Sequence, residues 1–307
     1  MQIIETSAEE YSRLFTNFPH VYNSVEFSEL NRYKVENLHY LVFKDTKARF
    51  GLVLGERNDG LYSPFSAPFG GFTTNKYQRF DIIDDAVNTL LQYSKERGKR
   101  IVITLPPPFY DEWRLACYAN SLSRVAKKTS FEVNYHFLLS DFANYEAVMK
   151  RPGNSTLRQA MKGGLYFQKI EKDDISGISR AYEVTRQNKA EQGYPLRMSY
   201  EAIINTIKII PADFFLVTYN NIDIAAAHVF RPCPGIYQPI LWGDIREFAH
   251  LRPMNFLAYN LFKYYYMQGV EIFDLGPSTE FTIPNYGLCS FKESIGCRSS
   301  LKLTFEL

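Results

Sequence analysis

The chain has 307 residues, which is enough for one large domain or two ordinary ones. Apolar residues make up 46% of it and charged residues 22%, an ordinary globular composition with ample material for packed cores. The formal net charge of +2 gives no field that would favour DNA, and no apolar run approaches the roughly 20 residues that span a membrane.

The N-terminal segment and the cysteines bear on location and metal binding. Residues 1–15 are acidic and lack the basic and apolar regions of a secretory signal, so we expect a cytoplasmic protein. None of the four cysteines belongs to a Cys-x-x-Cys pair, and no histidine stands at zinc-ligand spacing from them. We therefore expect free thiols and no metal site.

The first half of the chain alternates between helix-like and strand-like patterns. A long amphipathic helix stands out in it, with Gly98 as its C-terminal stop. The patterns predict helices near 7–17 and 25–34, strands at 39–43, 48–56 and 60–65, a helix at 75–96, and strands at 100–108 and 131–139.

The second half repeats this order. The Asn220-Asn221 pair suits a tight hairpin turn, and Pro253 has the fixed φ that suits the first turn of a helix. The predicted elements are strands at 213–221, 222–230 and 235–244, a helix at 253–269 and a strand at 270–278.

The two halves look like copies of each other, offset by roughly 170–175 residues. Three strands, a helix, a buried strand, another helix and a last strand form the order of a mixed sheet covered by helices, so we predict an α/β fold of the mixed-sheet (α+β) kind. The run Arg151-Pro152-Gly153-Asn154 interrupts the pattern. We therefore predict two tandem domains, 1–145 and 146–307, with the active site in the second.

Several common catalytic motifs are absent. The sequence has no Gly-x-Ser-x-Gly elbow, no Gly-x-x-x-x-Gly-Lys-Ser/Thr loop and no Gly-x-Gly-x-x-Gly after a strand. A hydrolase with a nucleophile elbow, a P-loop nucleotidase and a dinucleotide-binding enzyme are therefore disfavoured.

One candidate site is the junction between a strand and a helix at 244–255. Arg246 and Arg252 lie just before the helix that begins at Pro253, whose free backbone N–H groups carry a partial positive charge. Together these groups could hold a phosphate or a carboxylate. The alternative is a solvated loop with two surface arginines.

Two further segments could carry chemistry. The basic stretch 150–169, which includes Arg158, could bind a polyanion or form an ordinary solvated helix face. Phe291 and Lys292 lie in a short helical run near the C-terminus. A lysine among apolar residues could neutralise a developing oxyanion, or it could pack its stem on an apolar surface and keep its head in water.

The C-terminal half resembles the FemAB/FemX family, whose members add amino acids to peptidoglycan precursors. The resemblance is carried by the Phe-Asp strand that ends in glycine at 269–276, the Phe-Lys before a glycine at 287–296, and the segment 156–164. It implies two tandem GNAT-like domains and a transferase that passes an acyl or aminoacyl group to an amine. It also implies that Lys292 assists at the reacting carbonyl and that Arg158 holds acceptor phosphates.

Two departures from the family leave the substrates open. Where the family has Gln-Ser, a tryptophan and a phosphate-binding lysine, this chain has Asn23-Ser24, Phe27 and Asn31. The glycines of the CoA-pyrophosphate loop are missing before Pro253. Acyl-CoA and aminoacyl-tRNA both remain candidate donors, and no tightly bound cofactor is expected.

The reaction that we hypothesise is direct attack of an acceptor amine on a thioester or ester carbonyl. Lys292 is the first candidate for stabilising the oxyanion. Asp244 or Asp274 would accept the amine proton, although Asp274 could instead cap the turn after its strand. The predicted substrate-binding residues are Tyr237, Trp242, Arg246, Arg252, Asn255, Arg158 and Phe291.

Two other functions fit the same sequence. One is an ordinary GNAT N-acyltransferase that uses acyl-CoA on a small amine. The other is a binding protein that has kept the fold and its groove but lost the chemistry.

Overall fold

The computed structural model describes residues 1–307, and none of its helices has both the length and the apolar character needed to cross a membrane. The α-helices are α1 Ala8–Leu14, α2 Val25–Leu30, α3 Phe80–Arg97, α4 Glu112–Val125, α5 Tyr145–Val148, α6 Arg151–Met161, α7 Ile175–Glu191, α8 Tyr200–Thr206, α9 Pro253–Met267 and α10 Tyr286–Ser294. The strands are β1 Gln2–Thr6, β2 Asn37–Lys44, β3 Ala48–Arg57, β4 Gly60–Ser63, β5 Ile101–Thr104, β6 Lys128–Leu138, β7 Tyr166–Ile170, β8 Ala212–Tyr219, β9 Ile222–Cys233, β10 Ile236–Asp244, β11 Ile272–Pro277, β12 Thr279–Glu280, β13 Ile283–Pro284 and β14 Arg298–Glu306. Short 3₁₀ helices lie at Val21–Asn23, Arg32–Lys34, Pro108–Tyr110, Leu139–Asn144 and Arg246–Leu251.

Residue packing divides the chain into two compact units. Their ranges are Met1–Asn134, Thr279–Ile283 and Ser300–Leu307 for the first, and Tyr135–Ser278 and Pro284–Ser299 for the second. Most of β14 thus packs in the first unit, although it closes the second half of the sequence. A packing unit is not the same as a domain, and the domain boundary at 145/146 stays a prediction.

The first unit is built on a mixed sheet in the order β1-β2-β3-β4-β5-β14-β6. Neighbours from β1 to β4 are antiparallel, whereas β5 is parallel to β4 and antiparallel to β14. Leu90 of α3 and Leu122 of α4 are fully buried against Leu52, Ile103 and Phe305 of the strands. These helices therefore cover one face of the sheet with a single core.

The second unit has a sheet in the order β11-β10-β9-β8-β7, antiparallel from β7 to β10 and parallel between β10 and β11. Phe214 and Leu216 of β8 share a core cluster with Ile178 of α7. Phe215, which lies between them in the strand, contacts Tyr265 of α9 at a ring distance of 5.9 Å. Because successive strand residues point to opposite faces, α7 and α9 cover opposite faces of this sheet.

The order of elements is the same in both halves of the chain. The first runs β1-α1-α2-β2-β3-β4-α3-β5-α4-β6 and the second β7-α7-α8-β8-β9-β10-α9-β11-α10-β14, with α5 and α6 between them and the β12–β13 hairpin before α10. In each half, three antiparallel pairings precede one parallel pairing. The predicted mixed-sheet α/β fold is confirmed, and the repeat predicted from the sequence is visible in the order of its elements.

Some of the local predictions are confirmed and others are wrong. Asn220 and Asn221 form the predicted hairpin turn with φ of 49° and 62°, and Gly98 ends α3 with φ of 61°. The predicted start of α3 at Asn75 is wrong. The helix begins at Phe80, because the Asn75 side chain is bound to the end of α1 through hydrogen bonds with the backbone of residues 14 and 16.

The interpretation of Arg151-Pro152-Gly153-Asn154 as a break is also wrong, because these residues form the first turn of α6. Proline is favoured in a first helical turn, where its missing N–H costs nothing. Gly153 is buried against α10, and a Cβ at this position would lie 2.0 Å from the carbonyl oxygen of Ser294. The glycine thus serves close helix packing rather than a turn.

Candidate active site

Strands β10 and β11 are paired only where they begin. The pairing joins Ile236 with Ile272 and Tyr237 with Phe273, and no later residues of the two strands are paired. Strand β10 also has two register shifts against β9 within residues 236–241. Such irregularities are common beside active sites. Here the pairing of the two parallel strands ends at Tyr237 and Phe273, well before the end of β10 at Asp244.

A buried hydrogen bond lies just after the point where the pairing ends. The Gln238 amide donates to Oδ2 of Asp274 at 2.9 Å, and the backbone N–H of Gly276 donates to Oδ1 at 3.1 Å. Asp274 is fully buried. Its carboxylate ties β10 to the last residues of β11, so the geometry favours the capping role over that of a proton acceptor.

Lys292 lies on α10 and is only 1% exposed. Its ammonium group donates to the carbonyl oxygens of Leu275 and Gly276 at 2.9 Å and of Pro277 at 3.2 Å. Burial lowers the pKa of Lys292 to about 8, so the side chain is still mostly protonated at neutral pH. With a carbonyl partner for each of its three N–H groups, the ammonium is a fixed positive charge rather than a free donor.

Trp242 and Phe291 form an aromatic wall. Their ring centroids are 5.8 Å apart, and both side chains are half-buried. Phe291 directly precedes Lys292 in α10, so the wall adjoins the end of β11 that Lys292 binds. Tyr237 does not join it, because its ring packs 4.5 Å from that of Tyr265 on α9.

Asp244 is the last residue of β10 and is half-buried. Burial raises the pKa of its carboxyl to about 6, and the charge of Glu191 adds to the shift. The Asn188 amide donates to the Asp244 carbonyl oxygen at 2.7 Å, and a Cβ on Gly243 would lie 2.3 Å from Oδ1 of Asn188. A carboxyl group that titrates near neutral pH is suited to accept a proton from a substrate.

The two arginines of the junction do not converge. The guanidinium of Arg246 donates to the backbone oxygen of Glu191 at 2.6 Å, and its backbone N–H donates to the Glu191 carboxylate at 2.9 Å. Arg252, the residue just before α9, has a left-handed φ of 60° and is exposed, and no ion pair engages its side chain. Asn255 is half-buried in the first turn of α9. Arg252 and Asn255 therefore lie at the N-terminus of α9, whereas the side chain of Arg246 is hydrogen-bonded to the end of α7.

Arg158 lies in a different place, an open groove of about 600 Å³. The groove is bounded by the 3₁₀ helix Leu139–Asn144, α5, α6 and Tyr259 of α9. Arg158 forms an ion pair of 3.3 Å with Glu146, and both side chains are more than 70% exposed. None of the other predicted site residues lines this groove.

Sequence reasoning missed Asn188, Glu191 and Gln238. A signal for Asn188 was present, because it follows Ile178 and Ala181 at helical spacing on the buried face of α7. A polar residue at such a core position needs a hydrogen-bond partner. Gln238 is likewise a buried polar residue within a strand. The partners of both residues are distant in sequence and visible only in the fold.

No protein-family model matches the sequence, and no curated protein matches it either. Solved structures match in fold. FemX covers 100% of this chain and 98% of its own at 13% identity, with a TM-score of 0.66. The C-terminal domain of a putative lysylphosphatidylglycerol synthetase from Agrobacterium fabrum covers 97% and 92% at 11% identity, with a TM-score of 0.61.

A tandem GNAT protein from the clavulanic acid biosynthesis pathway covers 100% of this chain and 98% of its own at 8% identity, with a TM-score of 0.54. The chain has the FemX-like tandem GNAT fold. The predicted fold class and the resemblance to FemX in fold are therefore confirmed. At these identities the likeness establishes the fold alone.

Proposed function

We propose that this FemX-like chain is an acyl- or aminoacyl-transferase that moves an acyl group onto an acceptor amine. The observation that supports this best is the early end of the pairing between β10 and β11, which leaves Asp244, at the end of β10, without a partner residue on β11. The aromatic wall of Trp242 and Phe291 adds an apolar surface for a substrate. The fold shared with FemX and with a tandem GNAT protein supports the same class of reaction.

In the proposed reaction the amine nitrogen attacks the carbonyl carbon of a thioester or an ester, and the carbon–sulfur or carbon–oxygen bond breaks. Asp244 accepts the proton that the amine loses and returns it to the departing sulfur or oxygen, so no proton is gained or lost overall. Lys292 contributes a fixed positive charge that favours the oxyanion. Arg252 and Asn255, at the N-terminus of α9, would hold an anionic part of the donor.

The resemblance to FemX indicates the classes of substrate, and it leaves two classes of donor open. We propose acyl-CoA or aminoacyl-tRNA as the donor, used as a substrate and not as a tightly bound cofactor. The acceptor is an amine, and the resemblance to FemX makes a cell-wall peptide precursor the first candidate. Both donors are cytoplasmic, which agrees with the location expected from the sequence.

Calorimetric titration with acetyl-CoA and, in parallel, with an aminoacylated tRNA tests the donor. We expect saturable binding of one of them, weakened about tenfold or more by Arg252→Ala because the exposed guanidinium is available to an anion. Arg246→Ala is the matched control, and we expect it to leave the affinity unchanged because Arg246 is already bound to Glu191. If neither donor binds, the transferase proposal fails and a non-catalytic binding protein is favoured.

The pH dependence tests Asp244. Because the ionised carboxylate is the base, its ionisation should contribute a rise of kcat/KM with pH that levels off above about 6, in addition to the rise caused by deprotonation of the acceptor amine. Asp244→Asn should lower kcat about 100-fold or more and abolish the contribution of the carboxyl group. Donor affinity should stay unchanged in the variant. Retention of the wild-type pH profile by Asp244→Asn would contradict the role of Asp244.

A further inference from the structure

The groove that contains Arg158 has aromatic walls. Phe142 is stacked on Tyr145 at a ring distance of 5.2 Å, and both rings contact Tyr259, at 5.4 and 5.7 Å. Leu157 and Met161 of α6 extend the apolar surface, and Met161 is 44% exposed. Rigid rings of this kind offer a large contact area and lose little side-chain entropy when a ligand binds.

The groove also carries a positive charge on one side. Arg158 and Lys162 are one helical turn apart on α6, and both are exposed. Glu146 faces Arg158 across 3.3 Å, but a pair this exposed contributes at most about 1 kcal/mol and is easily given up to a ligand. Lys162 has no acidic partner. The three side chains leave a net charge of +1 at the groove.

Size and chemistry together define the ligand. A groove of about 600 Å³ is of the size that holds a small molecule rather than a protein segment with its own fold. An uncharged apolar molecule would make no use of Arg158 and Lys162, and inorganic phosphate would make no use of the rings. A molecule with an anionic head and an apolar body satisfies both surfaces.

We propose that this groove binds a small amphipathic anion, in which one carboxylate, phosphate or sulfonate is attached to an apolar body. Arg158 and Lys162 hold the head, and Phe142 and Tyr259 contact the body. Arg158 is the one predicted substrate-binding residue that lines the groove, and none of the residues to which we assign a step of the transfer reaction lines it. The proposal therefore does not depend on the proposed function.

Fluorescence titration with anilinonaphthalene sulfonate tests the site, because this probe is itself an aromatic anion. We expect saturable binding to the whole chain, weakened tenfold or more when Arg158→Gln and Lys162→Gln are combined. The matched control combines Lys150→Gln with Arg151→Gln, two exposed cations on the same helix that lie outside the groove. We expect the control to bind as the wild type does. Equal affinities of the wild type and the groove variant would overturn the proposal.

Competition identifies the source of the ligand. Displacement of the probe by decanoate but not by adenosine monophosphate assigns the groove to apolar carboxylates, and the reverse order assigns it to nucleotide phosphates. Phe142→Leu should weaken the probe severalfold at an unchanged melting temperature, because it removes a ring and keeps apolar volume. Displacement by inorganic phosphate alone, or full affinity in Phe142→Leu, would contradict the role of the aromatic walls.

Discussion

Lys292 is held by the backbone of the last residues of β11. Its ammonium group is the donor for three carbonyl groups in a region where it is itself almost completely buried. The catalytic role implied by the resemblance predicts that Lys292→Ala abolishes turnover at a nearly unchanged melting temperature. The structure predicts a loss of stability as well, because one buried and two partly buried carbonyl oxygens would lose their donor.

Lys292→Met should lower the free energy of unfolding by about 2–4 kcal/mol, since it keeps an unbranched apolar stem but removes the ammonium group that donates to the three carbonyl oxygens. Lys263→Met is the control. Lys263 is exposed on α9, and its replacement should change stability by less than about 0.5 kcal/mol. Urea unfolding measures both variants. An unchanged stability in Lys292→Met would show that the three carbonyl groups need no donor.

The sequence located some of these residues and not the contacts between them. Trp242 and Phe291 were predicted as substrate-binding residues, and the structure places their rings side by side. Tyr237 lies on the same strand but packs against Tyr265 of α9, because it is five residues from Trp242 and alternation along a strand points the two side chains to opposite faces. The hydrogen bond between Gln238 and Asp274 joins residues on two strands, and no local sequence pattern indicates it.

At the scale of elements, Gly153 lies at the contact between α6 and α10. The backbone N–H of Lys150, at the start of α6, donates to the carbonyl oxygen of Ser294, at the end of α10, and Gly153 lies against the same oxygen. Helix α10 carries Phe291 and Lys292, so this contact helps to place the aromatic wall. By local rules the Pro152-Gly153 pair indicates a break in the helical pattern. Its role is instead set by packing against α10, which is distant in sequence.

Gly153→Ala should destabilise the protein by about 2–3 kcal/mol although alanine is the better helix former, because the added methyl would lie 2.0 Å from a backbone oxygen. Gly287→Ala, within α10, should stabilise it by about 0.5–1 kcal/mol, since the nearest atom is at an ordinary 3.5 Å. The opposite signs are measurable by thermal unfolding. A neutral or stabilising Gly153→Ala would contradict the close contact.

For the whole molecule, the repeat was the most informative signal in the sequence. Gly98 and Gly269 end the equivalent helices α3 and α9, and both have positive φ. Each glycine is followed by the strand that runs parallel to the last strand of its meander. Local rules for glycine and apolar spacing thus predicted the fold. They did not predict that most of β14 packs with the first unit, because strand pairing depends on contacts distant in sequence.

Both units contain buried histidines, and these should make the protein sensitive to acid. Burial lowers the pKa of His20 in the first unit to about 3, and those of His136 and His228 in the second to about 4. In the unfolded chain these groups titrate near 6.5. The unfolded state therefore binds protons that the folded state does not, and the stability present above about pH 6.5 is lost as the pH falls toward 4.

Asp244 opposes this loss of stability. Its pKa is raised to about 6 in the folded state, so as the pH falls the folded state takes up this proton before the unfolded state does. The free energy of unfolding should therefore fall by about 2–3 kcal/mol per pH unit near pH 5 if the two units unfold together. Urea unfolding at several pH values measures it, with Trp113 reporting on the first unit and Trp242 on the second. Trp113→Phe and Trp242→Phe separate the two signals. If the units unfold independently, the pH dependence of stability that Trp113 reports should include, of these groups, only His20. The dependence that Trp242 reports should include His136 and His228, reduced by the proton that Asp244 takes up. A stability that is constant or rises from about pH 7 to pH 5 would show that the histidines are not held neutral by burial.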